Sequence, residues 1–193
     1  MSVPLVALCR RIGALWVCAC MLCAQGALAQ PSAAAPALQT IPTLDAQRYM
    51  GRWYEIAKFP NWFQRVCASQ TQAQYQLQDD GTVRVLNRCR NADGEWKEAL
   101  GTARLVGGAG SPKLQVRFAP DWLAWLPVVW GNYWVIDLDA DYQLVAVSEP
   151  SREYLWVLSR SPQVASEVYQ ALLQRLRAQG LVVERLEPTV QQP

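Results

Sequence analysis

The sequence predicts an all-β domain: an eight-stranded antiparallel up-and-down barrel shaped like a calyx, with one C-terminal α-helix packed outside and a short ninth strand. Three observations support this fold class. A Gly51-x-Trp53 motif opens the first strand, an Arg closes the last strand, and short segments in which apolar and polar residues alternate lie between them. In such a barrel an indole fills the closed end and a guanidinium group stacks over it, so we expect Trp53 and Arg160 to form the floor.

Period-two alternation defines the strands. In residues 71–77, Thr, Ala, Tyr and Leu alternate with three Gln residues, so one face meets water and the other does not. Small inward positions on the fourth strand, Ala99, Gly101 and Ala103, suit a hollow better than a packed core. Alternation alone also allows an open sandwich, and an outer-membrane barrel would instead be apolar outside. The eight predicted strands are residues 52–58, 71–77, 82–88, 95–105, 114–118, 132–138, 142–147 and 155–160.

One amphipathic helix is predicted after the strands. Ser161-Pro162 supplies an N-cap and a first-turn proline, apolar residues recur at helical spacing, and Gly180 ends the helix. The apolar face of this helix should dock on the outside of the barrel. Residues 181–183 should form the ninth strand beside the first. The apolar positions of the helix are Val164, Val168, Leu172, Leu173 and Leu176.

The first 29 residues have the pattern of a secretory signal peptide. Two Arg residues precede a short apolar run, and Ala27-Leu28-Ala29 offers a small-x-small cleavage site. A transmembrane helix is one alternative, although the run is short. Cleavage before Cys20 is another, because its neighbours loosely resemble a lipobox and Cys20 would then carry lipid. The sequence therefore predicts an exported protein, either soluble or lipid-anchored.

The exported part is predicted to be a single domain. Residues 30–43 are rich in Ala, Pro and Gln, which is typical of a flexible tether. Residues 44–188 are enough for one domain with a core and too few for two. Residues 189–193 are interpreted as a tail.

Charge and composition narrow the function. Loss of residues 1–29 removes two of the 18 basic residues, so 16 basic residues balance 16 acidic ones. The lack of a basic excess argues against nucleic acid as a partner. The sequence has no His, and only two Cys remain after residue 29, which excludes ordinary zinc sites and His-based catalytic triads. We expect neither a metal nor a cofactor.

Cys67 and Cys89 flank a predicted hairpin that turns at Asp79-Asp80-Gly81. Counting outward from the turn brings the two thiols nearly opposite each other. Since an exported protein matures where disulfides persist, we expect a structural disulfide. A free nucleophilic thiol is the alternative.

The sequence resembles the lipocalins, and more closely the bacterial lipocalins of the outer-membrane lipoprotein type, over most of the exported domain. Three motifs carry the resemblance in order: residues 51–56, residues 133–139 with Asp141-Tyr142 in the following turn, and residues 156–160. The resemblance implies storage or transport of a small lipophilic molecule, a fatty acid or lysophospholipid, in support of outer-membrane maintenance. It also implies a location in the periplasm or on the periplasmic face of the outer membrane. The departure lies at the start, where such relatives often have a clear lipobox.

Parity along the strands predicts the lining of the barrel. With Trp53 and Arg160 inward, alternate residues on the first and last strands should face the interior. A cavity-facing Glu55 would hydrogen-bond a ligand headgroup or, alternatively, pair with an Arg near the floor. The predicted ligand-binding residues are Glu55, Ala57, Tyr75, Val85, Phe118, Tyr133, Ala146, Trp156 and Leu158.

The segment 120–130 is too apolar to be only a solvated loop. At the barrel mouth it would cover the ligand entrance, dip into a membrane interface or join two copies in a homodimer. Folding back onto the barrel as ordinary core is the alternative. Its apolar residues include Trp122, Leu123, Trp125, Leu126 and Trp130, and Trp62, Phe63 and Trp96 are candidates to extend the same patch.

Three functions are open from the sequence. The favoured one is a lipid-binding carrier without catalysis. The second is an enzyme built on the same barrel, for which Glu55, Asp137, the tyrosines and the cysteines are the candidate catalytic groups. The third is an interaction module that uses the exposed Trp loop.

Overall fold

A computed structural model describes residues 36–192 and confirms the predicted all-β barrel. The predicted signal peptide and Cys20 lie outside the described residues. The helices and strands in chain order are α1 (Ala46–Tyr49), β1 (Gly51–Lys58), β2 (Ser69–Leu77), β3 (Val83–Arg90), β4 (Trp96–Leu105), β5 (Lys113–Arg117), β6 (Gly131–Leu138), β7 (Leu144–Ser148), β8 (Leu155–Ser159), α2 (Ser166–Ala178) and β9 (Glu187–Pro188).

The strands form one sheet that closes on itself. They pair in the order β2-β3-β4-β5-β6-β7-β8-β1-β9, and β1 also pairs with β2, so the first eight strands complete a ring. Every neighbouring pair is antiparallel, as expected for strands joined by hairpins. The ends of the strands define two rims. One rim carries α1, and the other carries the loops 59–68, 91–95, 118–130 and 149–154.

Two apolar clusters lie on opposite sides of the barrel wall. The inner cluster lines the lower interior, and the outer cluster lies between the wall and α2. β7 contributes to both, which is why its sequence is apolar at consecutive positions instead of alternating. The inner cluster comprises Leu44, Tyr49, Trp53, Ala73, Tyr75, Val83, Val85, Ala103, Leu114, Val135, Val145, Val147 and Leu158, and the outer one Leu38, Phe59, Ile136, Leu144, Ala146, Leu155, Val157, Leu172, Leu173, Leu176, Leu181 and Val183.

The helix packs outside the barrel as predicted, but it begins at Ser166 and not at Ser161. The residues before it are still held at the end of β8: the Arg160 N–H donates to Gln143 O, and the Ser161 N–H donates to Ser159 Oγ. Val168, expected on the docking stripe, is half exposed. Gly180, with φ +80°, follows the helix as predicted, because an L side chain rarely adopts that conformation.

The ninth strand lies beside β1 as predicted, but other residues form it. Glu187 pairs with Lys58, and Pro188 pairs with Ala57. In the predicted segment 181–183, Leu181 and Val183 are buried in the outer cluster, and a short 3₁₀ turn begins at Val183. Apolar residues just after the helix are therefore used to anchor α2 and not to extend the sheet.

The sequence predicted that the tether before the domain and the tail after it are loose. In the described residues, both segments are docked on the barrel. Leu38, within the predicted tether, is buried in the outer cluster, and the Ile41 N–H donates to Val135 O at 3.0 Å. In the predicted tail, the Thr189 N–H donates to Ile56 O at 2.9 Å. The Gln191 side-chain amide donates to carbonyl groups of both β1 and β2, at 2.8 and 2.9 Å. Within residues 36–192, both the predicted tether and the predicted tail therefore contact the barrel.

The predicted disulfide between Cys67 and Cys89 is confirmed. The two Cα atoms lie 5.4 Å apart, which is an ordinary separation for a disulfide. The bond ties the loop after β1 to the end of β3, across the open rim. The predicted turn between β2 and β3 is also present, with Gly81 at φ +80°.

We expect loss of this disulfide to destabilise the protein without changing its fold. The bond closes a loop of 22 residues in sequence separation, and in the chain-entropy model such a cross-link contributes about 3 kcal/mol to the free energy of unfolding. The double variant Cys67→Ala/Cys89→Ala should lose about that amount in urea denaturation. Reduction of the wild type serves as the control and should give the same loss. A loss below about 1 kcal/mol would contradict this expected contribution of the disulfide.

Candidate ligand-binding site

The closed end of the barrel is formed by a cation stacked on an indole. Trp53 is fully buried, and the guanidinium carbon of Arg160 lies 3.9 Å from the centroid of its ring. Arg160 Nη1 donates to Arg52 O and Nη2 donates to Arg48 O, both at 2.8 Å. The Trp53 Nε1–H donates to Tyr49 O at 2.9 Å. The structure thus places both predicted floor residues together and pairs their polar atoms.

Gly51 is the residue that lets this floor close. Its φ of +95° lies in the left-handed region, where a side chain would be strained. A Cβ at this position would also lie 3.2 Å from Arg160 Nη1. The Gly-x-Trp motif therefore places glycine where the guanidinium group approaches the backbone.

The predicted lining residues fall into two groups. Tyr75, Val85 and Leu158 belong to the inner cluster, and Tyr133 and Trp156 pack against it. Ala99, on the inner face of β4, is solvent-exposed, so water reaches this part of the wall. The lower interior is lined by the buried side chains of the inner cluster, while the upper wall carries small residues beside the open rim.

The predictions that Ala146 and Ala57 line the interior were wrong, because both residues face away from it. Ala146 is fully buried in the outer cluster beneath α2, and it is Val145 and Val147 that face inward. Between Glu55 and Ala57 the pairing with β8 shifts register, so that Ala57 lies opposite Val157 of the outer cluster. A β-bulge changes which face each later residue occupies, and simple parity cannot follow it.

Phe118 lies at the open rim, beyond the end of β5, and is 44% exposed. A Cβ on Gly101 would come within 2.8 Å of the Phe118 ring. The ring therefore covers the glycine, and part of the space predicted to be hollow at Gly101 is occupied by Phe118.

Glu55 is a buried carboxylate held by neutral groups. It is 2% exposed, its Oε1 accepts a hydrogen bond from Thr189 Oγ1 at 2.6 Å, and its Oε2 accepts one from Gln64 Nε2 at 2.7 Å. Gln64 Oε1 in turn accepts from Trp156 Nε1 at 2.9 Å. No ion pair joins Glu55 to an Arg among the described residues, so the alternative role as partner of a floor Arg was wrong.

Burial raises the pKa of Glu55 above its ordinary value. The hydrogen bonds from Thr189 and Gln64 and the charge of Lys58 oppose this shift without cancelling it. Lys58 lies opposite Trp156, on the same side of the wall as that side chain. Lys58 Nζ also forms an ion pair with Glu187 Oε2 of β9 at 3.3 Å. This end of the barrel therefore combines ionisable groups with amide and hydroxyl groups.

Three tyrosine hydroxyl groups meet close to the floor, where the Tyr49 ring lies 5.1 Å from that of Trp53. Tyr49 Oη lies 2.6 Å and Tyr75 Oη 3.1 Å from Tyr133 Oη, and we refer to these three residues as the tyrosine triad. Sequence parity found Tyr75 and Tyr133 but missed Tyr49, which lies on α1 four residues before Trp53. Gln64 and Thr189, the partners of Glu55, were missed as well, because neither lies on one of the predicted barrel strands.

The loop 118–130 places some, but not all, of its apolar residues at the barrel mouth, where the sequence predicted them. Trp122 and Trp125 are 73% and 76% exposed at the open rim, and Leu123 and Leu126 are half-buried beside them. Trp130 does not lie at the barrel mouth with them. Its ring lies 4.0 Å from the guanidinium carbon of Arg104 on the outer wall.

Of the three aromatic residues proposed to extend the patch, two lie in the neighbouring loop 59–68. Trp62 and Phe63 pack edge to face there. Trp96 is held against Arg88 and Arg90 on the outer face of the sheet.

The described residues contain no long apolar helix of the kind that could cross a membrane. Within the same residues, no group of His, Cys, Asp and Glu side chains is arranged to hold a metal ion.

The fold and the site together define a class of protein: a closed β-barrel, sealed at one end and open at the other, of the kind that holds one small ligand. The chain belongs to the lipocalin family. The family model for the lipocalin-like domain matches residues 44–191. Lipocalins are generally binding and transport proteins for lipophilic molecules.

Relatives of this chain occur in plants and bacteria. It is similar to temperature-induced lipocalin-1 of Arabidopsis thaliana, with 39% identity covering 80% of this chain and 83% of the relative. It is also similar to outer membrane lipoprotein Blc of Escherichia coli (strain K12), with 38% identity covering 79% of this chain and 82% of the relative. Among solved structures, insecticyanin from Manduca sexta superposes with a TM-score of 0.62, covering 82% of this chain and 87% of insecticyanin, at 17% identity, which shows the shared fold.

We expect Glu55 to make stability depend on pH. The folded carboxyl group keeps its proton at pH values above 4.5, where the unfolded one has lost it, so raising the pH removes stability from the wild type. Glu55→Gln cannot titrate. The free energy of unfolding of the wild type, measured relative to Glu55→Gln, should therefore fall as the pH rises from 4 to 8, by about 1.4 kcal/mol for each unit by which the pKa is raised. Glu98→Gln, on the exposed outer face of β4, controls for loss of one surface charge, and a flat difference curve for Glu55→Gln would contradict the prediction.

Proposed function

We propose that this protein binds a fatty acid or lysophospholipid inside the barrel and stores or transports it in the cell envelope. One observation carries the proposal: the barrel is sealed by Trp53 and Arg160 at one end and open at the other, with small residues on its upper inner wall. A long acyl chain that enters such a space leaves water, and each Å² of apolar surface removed contributes about 25 cal/mol. The similarity to an outer membrane lipoprotein supports an exported protein that works at the outer membrane, either anchored through Cys20 or soluble.

Binding without catalysis is part of this proposal. Cys67 and Cys89 are joined to each other, so neither supplies a nucleophilic thiol. Both carboxylate oxygens of Glu55 already accept hydrogen bonds from the protein, which supports a structural role over that of a general base.

Filling the interior should abolish ligand binding. Ala73 lies on the inner face of β2, and a Trp at this position would occupy the space that an acyl chain needs. The neighbouring Gln74 is exposed on the outer face of the same strand, so Gln74→Trp is a matched control. We expect Ala73→Trp to weaken hexadecanoic acid binding at least tenfold, measured by displacement of a fluorescent fatty acid, and Gln74→Trp to leave it unchanged.

The same proposal has an independent readout. Protein purified without detergent should carry acyl lipid that native mass spectrometry detects in the wild type and in Gln74→Trp but not in Ala73→Trp. Thermal unfolding of all three proteins checks that they are folded. Equal binding by the two Trp variants would contradict a ligand site inside the barrel.

The open rim supports a second proposal, that the protein collects or delivers its ligand at a membrane surface. Every exposed Trp and Phe side chain in the described part of the chain lies in a rim loop or at its edge: Trp62, Phe63, Trp96, Phe118, Trp122 and Trp125. Trp favours membrane interfaces, where its ring is partly buried and its N–H stays hydrated. The entrance to the barrel would then face the lipid that supplies the ligand.

Removing two of these side chains should weaken contact with lipid. We expect Trp122→Ser/Trp125→Ser to lower co-sedimentation with phosphatidylethanolamine and phosphatidylglycerol vesicles severalfold, while Val168→Ser/Val182→Ser, which removes exposed apolar side chains outside the rim, should not. If the wild type does not bind vesicles but sediments as a dimer that the Trp variant dissociates, the rim is a homodimer interface and the membrane proposal is wrong.

A further inference from the structure

The tyrosine triad has one more hydrogen-bond donor than it uses. Three phenol groups carry three hydroxyl protons, and each of the two hydrogen bonds between them takes one. The hydroxyl groups have no other hydrogen-bond partner among residues 36–192. One proton therefore remains for an acceptor that the described chain does not supply.

This unused donor is buried and stays protonated. Tyr49 and Tyr75 are 2% and 8% exposed, and Tyr133 is half-buried. Burial raises the pKa of Tyr75 to about 12 and that of Tyr49 and Tyr133 well above 10. The triad therefore offers a neutral hydroxyl donor throughout the physiological pH range, in a place where an unpaired donor is costly.

A second unpaired polar group lies on the same inner wall. Asn87 pairs with Ala73 and Ala99, both on the inner face, and is two residues nearer the open rim than Val85, the partner of Tyr75. Its side-chain oxygen is buried without a hydrogen-bond partner among the described residues. Buried polar groups are normally satisfied, so two incompletely paired groups on the inner wall point to a partner with polar atoms of its own.

The charge around the triad limits what its partner can be. The nearest cation, Arg160, stacks on Trp53, and its Nη groups donate to backbone carbonyls. It lowers the pKa of Tyr49 and Tyr75 through its charge without a hydrogen bond to either hydroxyl. An ionised carboxylate placed against the triad would be buried without a paired cation, which is unfavourable, whereas a neutral oxygen needs none.

We propose that the tyrosine triad binds a neutral oxygen acceptor, the oxygen of a ketone, ester or hydroxyl group, at the end of the lipophilic ligand that enters the barrel first. This inference rests on the proposed function, because it requires the ligand to occupy the interior. It defines the ligand class further: an elongated apolar molecule that is oxygenated at its leading end. A charged group on the same molecule remains at the open rim, near Glu55 and Lys58.

Matched probes test this inference. Hexadecanoic acid is compared with hexadecanoic acids that carry one ketone at successive positions along the chain, including the carbon next to the terminal methyl group. The wild-type exported protein should bind the ketone that reaches the triad roughly twofold to tenfold more tightly than the plain acid, as expected for one buried hydrogen bond. The carbonyl stretch of that bound ketone should shift to lower frequency than in an apolar solvent.

The variant that tests the donor must remove all three hydroxyl groups. Loss of any single hydroxyl still leaves at least one unused proton, so single substitutions are uninformative. Tyr49→Phe/Tyr75→Phe/Tyr133→Phe replaces the triad with apolar rings of the same shape and should bind plain acid and ketone equally. Tyr169→Phe, on α2 outside the barrel, is the matched control and should keep the preference for the ketone.

Each outcome decides the inference. A preference for the ketone in the wild type and in Tyr169→Phe, lost in the triple variant, supports it. Equal affinities for all probes in the wild type, with no shift of the carbonyl stretch, overturn it and leave the proposed function standing. A preference that survives in the triple variant places the donor elsewhere and also overturns it. If neither plain acid nor ketone binds, the proposed function falls together with the inference.

Discussion

The contact between Trp53 and Arg160 is the constraint on which the rest of the barrel depends. Arg160 comes from the end of the last barrel strand, and its guanidinium group reaches the start of the first strand and the last carbonyls of α1. Those carbonyls have no partner within so short a helix, so the same cation that seals the barrel also caps α1. A Lys at this position has a single point of charge and no flat surface, and it would not both stack on the indole and pair with carbonyls from two elements. The floor is therefore one unit built from the two ends of the domain.

The division between an inner and an outer cluster explains how a barrel with an open upper interior can still be stable. Val157 and Leu158 on β8 face opposite sides of the wall, into the outer and inner clusters respectively. The outer cluster is a conventional packed core between sheet and helix, so much of the apolar burial does not depend on filling the barrel. The docked segments before α1 and after β9 add to the wall from outside, and the disulfide ties the open rim. Small residues on the upper inner wall are tolerated because stability comes from elsewhere.

The motifs and the alternation of residues were sufficient to predict the fold, the disulfide, and strand boundaries to within a few residues. They failed where local pattern carries no information about the tertiary partner. β7 is apolar at consecutive positions, so parity could not show that Ala146 faces the helix. The bulge after Glu55 has no residue signature and reversed the face of Ala57. The partners of Glu55 come from a rim loop and from the C-terminal segment, and only the closed fold brings Gln64 and Thr189 to one carboxylate.

The polar groups inside the barrel are arranged by charge along its length. The two ionisable groups, Glu55 and Lys58, lie toward the open rim, where Gln64 and Thr189 hydrogen-bond to Glu55 and Glu187 pairs with Lys58. Near the floor the tyrosine triad supplies neutral hydroxyl groups, and the guanidinium group of Arg160 stacks on the indole of Trp53. The desolvation of a full charge moved from the rim to the floor would cost more free energy than its hydrogen bonds to the tyrosine hydroxyl groups would contribute. The barrel therefore imposes a direction on any amphiphile that enters it: the charged end stays outside, and only apolar or neutral oxygenated groups reach the bottom.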